Sequence, residues 1–331
     1  CIRLATEDAK ELFTLAKQNI PVLTYSGHSD KDSVRASYFQ KVASASGKPV
    51  PLPKISALAI LAADFETGQI LYEKNKDLTF PIASISKLMT GLVAIETINR
   101  FKVLAMTRDA QATYGDSADL KSGEEFKSED FLYPLILASS NDVAALYASE
   151  VWGFVQIMNE KAKGIGMSGT HFSDATGLSP ENVSTSADIF KLLHFISLHK
   201  KPLFAVVSLK EYTLTSLDEK RRTHTWTRVN WPVDDERFVA GKAGLSDEAQ
   251  ETMIGVWRVR VSEHGTRPVA IIVLGAQNRK KDVEAIIDYL EEGFVYGNVF
   301  AKEEQKPIVV KSGASIFEAV EGLFDRNLLP R

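Results

Sequence analysis

The chain has 331 residues, 44% of them hydrophobic and 25% charged, with a formal net charge of −4. That length supports about two domains and a large core, and the charge balance gives no reason to expect nucleic acid or an anionic membrane as partner. No apolar run approaches the roughly 20 residues that cross a bilayer, and the single cysteine, Cys1, excludes an intrachain disulfide.

The chain opens on Cys1 rather than Met. A trimmed boundary explains this, or else the mature chain of a bacterial lipoprotein, which starts on its lipid-bearing cysteine once the signal peptide is cut. A lipid on Cys1 is therefore one expectation, and membrane contact is expected through that lipid alone. Residues 4–19 read as an amphipathic helix, with Leu4, Ala9, Leu12, Phe13 and Leu15 interrupted by charges, and Ile20 to Tyr25 read as a strand. Residues 26–53 are rich in Ser, Lys, Asp, Gly and Pro and end in Gly47-Lys48-Pro49-Val50-Pro51-Leu52-Pro53, which reads as linker. An N-terminal extension over 1–53 and a main domain over 54–298 follow.

Ala57 to Phe65 and Gln69 to Glu73 form two strands joined by Glu66-Thr67-Gly68, a hairpin signal. Leu88, Met89, Leu92, Val93, Ala94, Ile95 and Ile98 then occupy most faces of one helix, the mark of a buried central helix. Glu129 to Ala138 is helical in pattern despite Pro134, and 143–166 and 186–199 continue the helical pattern, so the stretch over about 100–230 reads as all-helical. Strand character returns at Phe238 to Ala240, Glu251 to Val261 and Pro268 to Leu274, with Ser262 to Arg267 as a turn, and Lys281 to Tyr296 closes as an amphipathic helix. Two strands, then helices, then three strands and a helix imply an α+β domain with a helical insertion. A C-terminal extension over 299–331 carries a strand-like Pro307 to Val310 and a helical Ile316 to Phe324. No internal repeat is present.

The stretch that carries chemistry is Phe80-Pro81-Ile82-Ala83-Ser84-Ile85-Ser86-Lys87-Leu88-Met89-Thr90. Ser84 and Lys87 lie three apart at the opening of the apolar helix, on one face. Burial disfavours the ammonium form of Lys87, as a base working near neutral pH requires. The helix start also offers free backbone N–H groups to developing negative charge. Together these outline an activated serine nucleophile. Ser-x-x-Lys alone fits a capped core helix equally well, and a second copy stands at Ser197 to Lys200.

What decides between them is the order of motifs downstream. Ser139-Ser140-Asn141 ends a helical segment, and Lys242-Ala243-Gly244 enters the returning strands. Ser-x-x-Lys, Ser-x-Asn and Lys-x-Gly in that order resemble the penicillin-binding proteins and serine β-lactamases. Phe80 to Leu88, Gly123 to Val143, Met158 to Ala162 with Gly166-Met167, and Thr176-Gly177-Leu178 with Ser184 to Asp188 narrow this. They resemble the low-molecular-weight D-alanyl-D-alanine carboxypeptidases, the S11 peptidases, over about 56–296. Lys121-Ser122-Gly123 and Lys311-Ser312-Gly313 are rival third motifs, but only Lys242 is followed by two strands and a helix.

The resemblance implies a β-lactamase/transpeptidase-like fold, an antiparallel sheet of about five strands flanked by helices. It implies a serine D-Ala-D-Ala carboxypeptidase outside the cytoplasm, in the periplasm or cell envelope, whose partners are peptidoglycan peptides and β-lactam antibiotics. Ser84 would be the nucleophile and Lys87 its proton acceptor, with Lys242 holding the Lys87 pKa down. Ser139 would relay a proton to the leaving amine, and Asn141 would orient Lys87 and bind a substrate amide. Backbone N–H groups of Ser84 and Leu245 would form the oxyanion hole, and Gly244 would let substrate lie against the strand edge. Read singly, Ser139 and Asn141 also fit a helix cap, and Lys242 fits a strand-edge charge.

Ala243 departs from the Thr or Ser usual in that family, whose hydroxyl helps hold the substrate carboxylate. The arginine expected after the last strand is replaced by Gln277, with Arg279 two residues on. Two alternatives follow: an endopeptidase acting on crosslinked wall peptides, and a catalytically weak penicillin-binding module. A class A β-lactamase is disfavoured, since no Glu-x-x-Leu-Asn lies between Ser139 and Lys242. His28, His171, His194, His199, His224 and His264 show no i, i+4 pairing, so neither a metal nor another cofactor is expected.

Overall fold

A computed structural model describes residues 38–44, 48–229, 235–262 and 265–297. Cys1, the expected helix over 4–19, the strand over 20–25 and the elements over 307–310 and 316–324 lie outside the described residues.

The frame is a five-stranded antiparallel sheet in the order β10-β11-β12-β2-β3. Its strands are β2 (Ala59–Asp64), β3 (Ile70–Lys74), β10 (Phe238–Ser246), β11 (Gln250–Ser262) and β12 (Gly265–Ala276). The N-terminal strand β2 lies beside the late strand β12, in the register Ala62↔Ile271 and Ile60↔Val273. The sheet thus draws together two distant parts of the chain. β2 is buried at every residue, as a strand covered on both faces must be. Period-two alternation divides the load: Ala270, Ile272 and Leu274 join the main core, while Val269, Ile271 and Val273 are buried on the other side of the pleat. Helix α8 (Arg279–Gly293) packs on β11 and β12.

Everything between β3 and β10 is built on helix α1 (Lys87–Thr97), buried from Lys87 to Ala94. Around it pack α3 (Leu132–Leu137), α4 (Asn141–Glu150), α5 (Phe154–Gly164) and α6 (Ser186–His199). A short α2 (Arg108–Gln111) and α7 (Lys201–Ser208) complete the helices. Pro134 is harmless because it stands in the first turn of α3, where its missing N–H has no intrahelical partner to lose. The helical pattern over 143–166 breaks into α4 and α5 at Gly153, held at φ 72°.

The insertion is not wholly helical. Two ribbons lie within it, β5 (Val103–Ala105) with β6 (Glu125–Lys127) and β8 (Glu211–Thr215) with β9 (Thr223–Thr227). Threonine pairs face across the second, Thr213 with Thr225 and Thr215 with Thr223, each at 2.8 Å. β-branched residues at alternate positions stabilise such ribbons, a local signal that the surrounding helical periodicity obscures. β4 (Phe80–Pro81) pairs with β7 (Val183–Ser184) and fixes the entry into α1.

The boundaries also differ from the sequence reading. Phe294–Gly297 forms strand β13, paired with β1 (Tyr38–Lys41), rather than ending the last helix. Val50, read as linker, is buried and packs against Gly293, so residues 39–44 and 48–53 contribute to the same compact unit, Phe39–Val295.

Because α1 is enclosed on all sides, its side chains have nowhere to relax. Leu92→Ala, at a fully buried position, should cost about 2–5 kcal/mol of stability. Urea unfolding would show this as a lower midpoint at unchanged slope.

Candidate active site

Ser84 sits in a single 3₁₀ turn, Ala83–Ser86, between β4 and α1. The nucleophile candidate therefore precedes the α-helix rather than lying in it. Two contacts set the turn: the Ser86 hydroxyl donates to the Ala83 carbonyl at 2.8 Å, and Ile82 N–H donates to the Asn182 carbonyl at 3.0 Å. Ala83 takes φ 46°, a strained value for a residue with a Cβ. Gly177, itself at φ 85°, lies so close that a Cβ there would stand 2.2 Å from the Ala83 carbonyl oxygen. Ser84 is half-buried, so its hydroxyl is reachable.

Lys87 is fully buried. Its Nζ donates to Ser84 Oγ at 2.9 Å and to the Thr176 carbonyl at 2.5 Å. Burial pushes the amine down to about 7, and it does so against Asp116, Asp174 and Asp142, whose charges act in the opposite direction.

Ser139 follows the end of α3 and takes φ 55°, turning the chain so that Asn141 can start α4. The Ser140 side chain caps α4 by accepting from Val143 N–H, and it also bonds the buried Asp142 carboxylate. Lys242 lies on β10, buried, with its Nζ donating to Ser139 Oγ at 2.9 Å and to the Ala243 carbonyl at 2.7 Å. Its amine is held well below the ordinary lysine value, by burial first, then by Lys87 and by Arg228. Burial is the first cause of the low Lys87 value, and repulsion between the two ammonium groups disfavours the charged form of each.

β10 is an edge strand, and it runs against the Ser84 turn. A Cβ on Gly244 would meet Thr252 Oγ1 at 2.6 Å, the Ile82 carbonyl at 2.9 Å and Ser84 N at 3.0 Å. Only a glycine allows that approach. Ala243 is buried beside it, and Leu245 follows with an exposed side chain. Ser84, Lys87, Ser139, Asn141, Lys242 and Gly244 are thus gathered from the start of α1, the α3–α4 turn and the sheet edge.

The predicted role of Asn141 as the group that orients Lys87 does not match its contacts. Asn141 Nδ2 donates to the Tyr114 carbonyl at 2.9 Å, and among the described residues the group beside Lys87 is the Thr176 carbonyl. Sequence reasoning missed this because the contact is made by main chain. Arg228 is a buried cation that the sequence reading does not name, whereas Arg279 is named there only as standing two residues past Gln277. Arg228 donates to the carbonyls of Gly241 and Val207, at 2.7 and 2.6 Å, and burial lowers it to about 10. Arg279 donates to the Gly244 carbonyl at 2.9 Å.

The rival motifs separate cleanly. Ser197 donates to the His194 carbonyl at 2.7 Å while Lys200 pairs with Glu96 at 2.8 Å, so that serine and lysine serve different partners. Lys121 is exposed and lies 3.6 Å from Asp119. Lys311-Ser312-Gly313 lies outside the described residues.

Comparison with known proteins shows the family. Residues 44–278 match the Peptidase_S11 family model, described as D-alanyl-D-alanine carboxypeptidase. A D-alanyl-D-alanine endopeptidase of Escherichia coli is 29% identical over 73% of this chain and 80% of its own length. The D-alanyl-D-alanine carboxypeptidase DacF of Bacillus subtilis is 26% identical over 69% of this chain and 60% of its own. Among solved structures, the Streptomyces K15 DD-transpeptidase superposes with a TM-score of 0.65 at 25% identity, over 72% of this chain and 98% of that one.

The burial of Lys87 has a direct spectroscopic signature. In protein carrying ¹⁵N-labelled lysine, its amine should titrate near the value of about 7 set by burial, against about 10.4 for exposed lysines. Above that midpoint it is a neutral amine, below it an ammonium.

Proposed function

The chain belongs to the peptidase S11 family of D-alanyl-D-alanine carboxypeptidases, serine-type hydrolases, and we propose that its acyl-enzyme forms on Ser84. The observation that carries this reading is the fully buried Lys87 amine at 2.9 Å from the Ser84 hydroxyl. The bond hydrolysed joins two D-alanines at the end of a peptidoglycan stem peptide.

Neutral Lys87 takes the Ser84 proton as Oγ attacks the carbonyl between the two D-alanines. Backbone N–H groups of Ser84 and Leu245 receive the developing oxyanion. The carbon–nitrogen bond breaks, and the leaving amine takes a proton through Ser139, which Lys242 holds in place by its 2.9 Å hydrogen bond. Water then cleaves the ester and restores Ser84. The substrate lies along the edge of β10, which the absence of a Gly244 side chain brings close to the Ser84 turn, and the side-chain oxygen of Asn141 serves a substrate amide. β-Lactams, as cyclic amides, acylate the same serine. Wall peptides as substrate place the enzyme outside the cytoplasm. A lipid on Cys1 would be read directly from the intact mass of native, membrane-extracted protein.

A second reading, D-Ala-directed endopeptidase, is favoured by one observation. Ala243 offers no hydroxyl to a terminal carboxylate, and an endopeptidase cutting crosslinks has less need of one.

Fluorescent penicillin should label Ser84, and Ser84→Ala should abolish labelling with the fold intact; label mapped to Ser197 would overturn the assignment. Lys87→Ala should slow acylation about a hundredfold or more. In the unaltered protein, acylation should rise with pH along a limb centred near 7, because the proton on Lys87 blocks the base below that value.

Ala243→Thr tests the two readings against each other. A hydrogen bond to a charged group contributes about 1.5–3 kcal/mol, so the added hydroxyl should raise kcat/KM on a D-Ala-D-Ala tripeptide roughly ten- to a hundredfold. Crosslinked muropeptides should change little. Equal change on both substrates would show that this position does not govern carboxylate recognition.

A further inference from the structure

A base that abstracts a proton from serine must point its lone pair at the hydroxyl. A neutral lysine amine has two N–H bonds and one lone pair, and nothing in its flexible chain fixes which of them faces Ser84. The Thr176 carbonyl, at 2.5 Å, takes one N–H and so restricts the rotation of the amine. What holds that carbonyl is visible in the loop around it. Asp174 Oδ1 accepts from Thr176 N–H at 2.6 Å, from the Thr176 hydroxyl at 2.7 Å and from Gly177 N–H at 2.7 Å. Its Oδ2 accepts from Ser179 N–H and from Asn182 Nδ2, both at 2.8 Å.

We propose that Asp174 is a positioning residue for the base: its carboxylate folds residues 174–182 into the shape that presents the Thr176 carbonyl to Lys87, and that carbonyl aims the amine at Ser84. The proposal rests on the reading of Ser84 and Lys87 as nucleophile and base. It repeats, with a main-chain oxygen, the logic of a base oriented by a third group.

The rest of the neighbourhood is built around the same loop. Thr90, one helical turn beyond Lys87 on α1, donates its hydroxyl to the Ala175 carbonyl at 2.6 Å, so two successive carbonyls dock on one face of α1. Asn182, fully buried, binds Ser173 N–H through Oδ1 at 2.9 Å, and its own carbonyl accepts from Ile82 N–H at 3.0 Å. The loop is thereby tied to the chain just ahead of Ser84. Gly177 closes the arrangement against Ala83. Asp174 also faces Lys87 electrostatically, together with Asp116 and Asp142, with Lys242 as the opposing cation. The Asp174 charge favours the ammonium form, so removing it should move the Lys87 limb to lower pH.

The test measures penicillin acylation rates against pH, per titratable active site, for Asp174→Ala and Asp174→Asn in both the unaltered and the Lys87→Ala backgrounds. Misplacement of a reacting group by about an ångström costs on the order of a hundredfold. Asp174→Ala should therefore slow acylation at the pH plateau about 10- to 100-fold, and Asp174→Asn, which keeps one oxygen for the Thr176 and Gly177 N–H groups, should retain most of the rate. The acid limb should fall in both. In the Lys87→Ala background the Asp174→Ala effect should vanish, because no amine remains to be aimed. A plateau rate equal to the unaltered protein, or a loss that persists in full without Lys87, overturns the proposal. Should Asp174→Ala fail to fold, Asp174→Ser is read by the same two criteria. If penicillin does not label Ser84 in the unaltered protein, it is the underlying assignment of nucleophile that fails.

Discussion

The site depends on the desolvation of one amine. Lys87 is carried into the interior by a helix whose first two turns are entirely buried, and its side chain has no solvent-exposed surface. An ammonium in that position loses its hydration without gaining a carboxylate in contact, so the amine gives up its proton near pH 7 rather than in the ordinary lysine range. Three aspartates temper the effect: Asp116 from an exposed loop, Asp142 from within α4 and Asp174 from the loop that contacts Lys87. Their opposition keeps the amine in the range where a base is both available and strong enough.

A second constraint is geometric. The two serines of the site stand beside or at strained positions, Ala83 at φ 46° and Ser139 at φ 55°. Such values persist only where surrounding structure over-determines them. Around Ala83 that structure is the Gly177 loop and the β4–β7 pair; around Ser139 it is the junction of α3 and α4, the capping of Val143 N–H by Ser140, and the Lys242 hydrogen bond. The rigid sheet edge closes the site from its third side, at a distance that Gly244 sets by having no side chain.

Positive charge is concentrated behind that edge. Lys242, Arg228 and Arg279 are all buried, and the two arginines spend hydrogen bonds on carbonyls of β10 itself, Gly241 and Gly244. Buried cations bonded to carbonyls leave a positive potential along the strand where an anionic peptide end would lie. Ala243 sits within this field without a hydroxyl.

The sequence by itself determined the order of the motifs, the apolar helix behind Ser84, the five strands and their division into two early and three late. Those features are local, written in periodicity and in short spacings, and the resemblance to the S11 peptidases that the motifs carry groups Ser84, Lys87, Ser139, Asn141, Lys242 and Gly244 as one expected site. The ribbon of Thr213 and Thr225 carried a legible signal, alternating β-branched residues, which the helical pattern on either side overrode. Motif order already singled out Ser84 and Lys87, and tertiary structure shows the physical difference, since Ser197 and Lys200 match the spacing yet turn to His194 and Glu96. It alone showed that burial is the first cause of the low Lys87 value, and that Lys87 donates to the Thr176 carbonyl while Asn141 Nδ2 turns to Tyr114. The reason is physical: desolvation is a property of the whole enclosure, and a main-chain carbonyl looks the same at every position until the fold aims it.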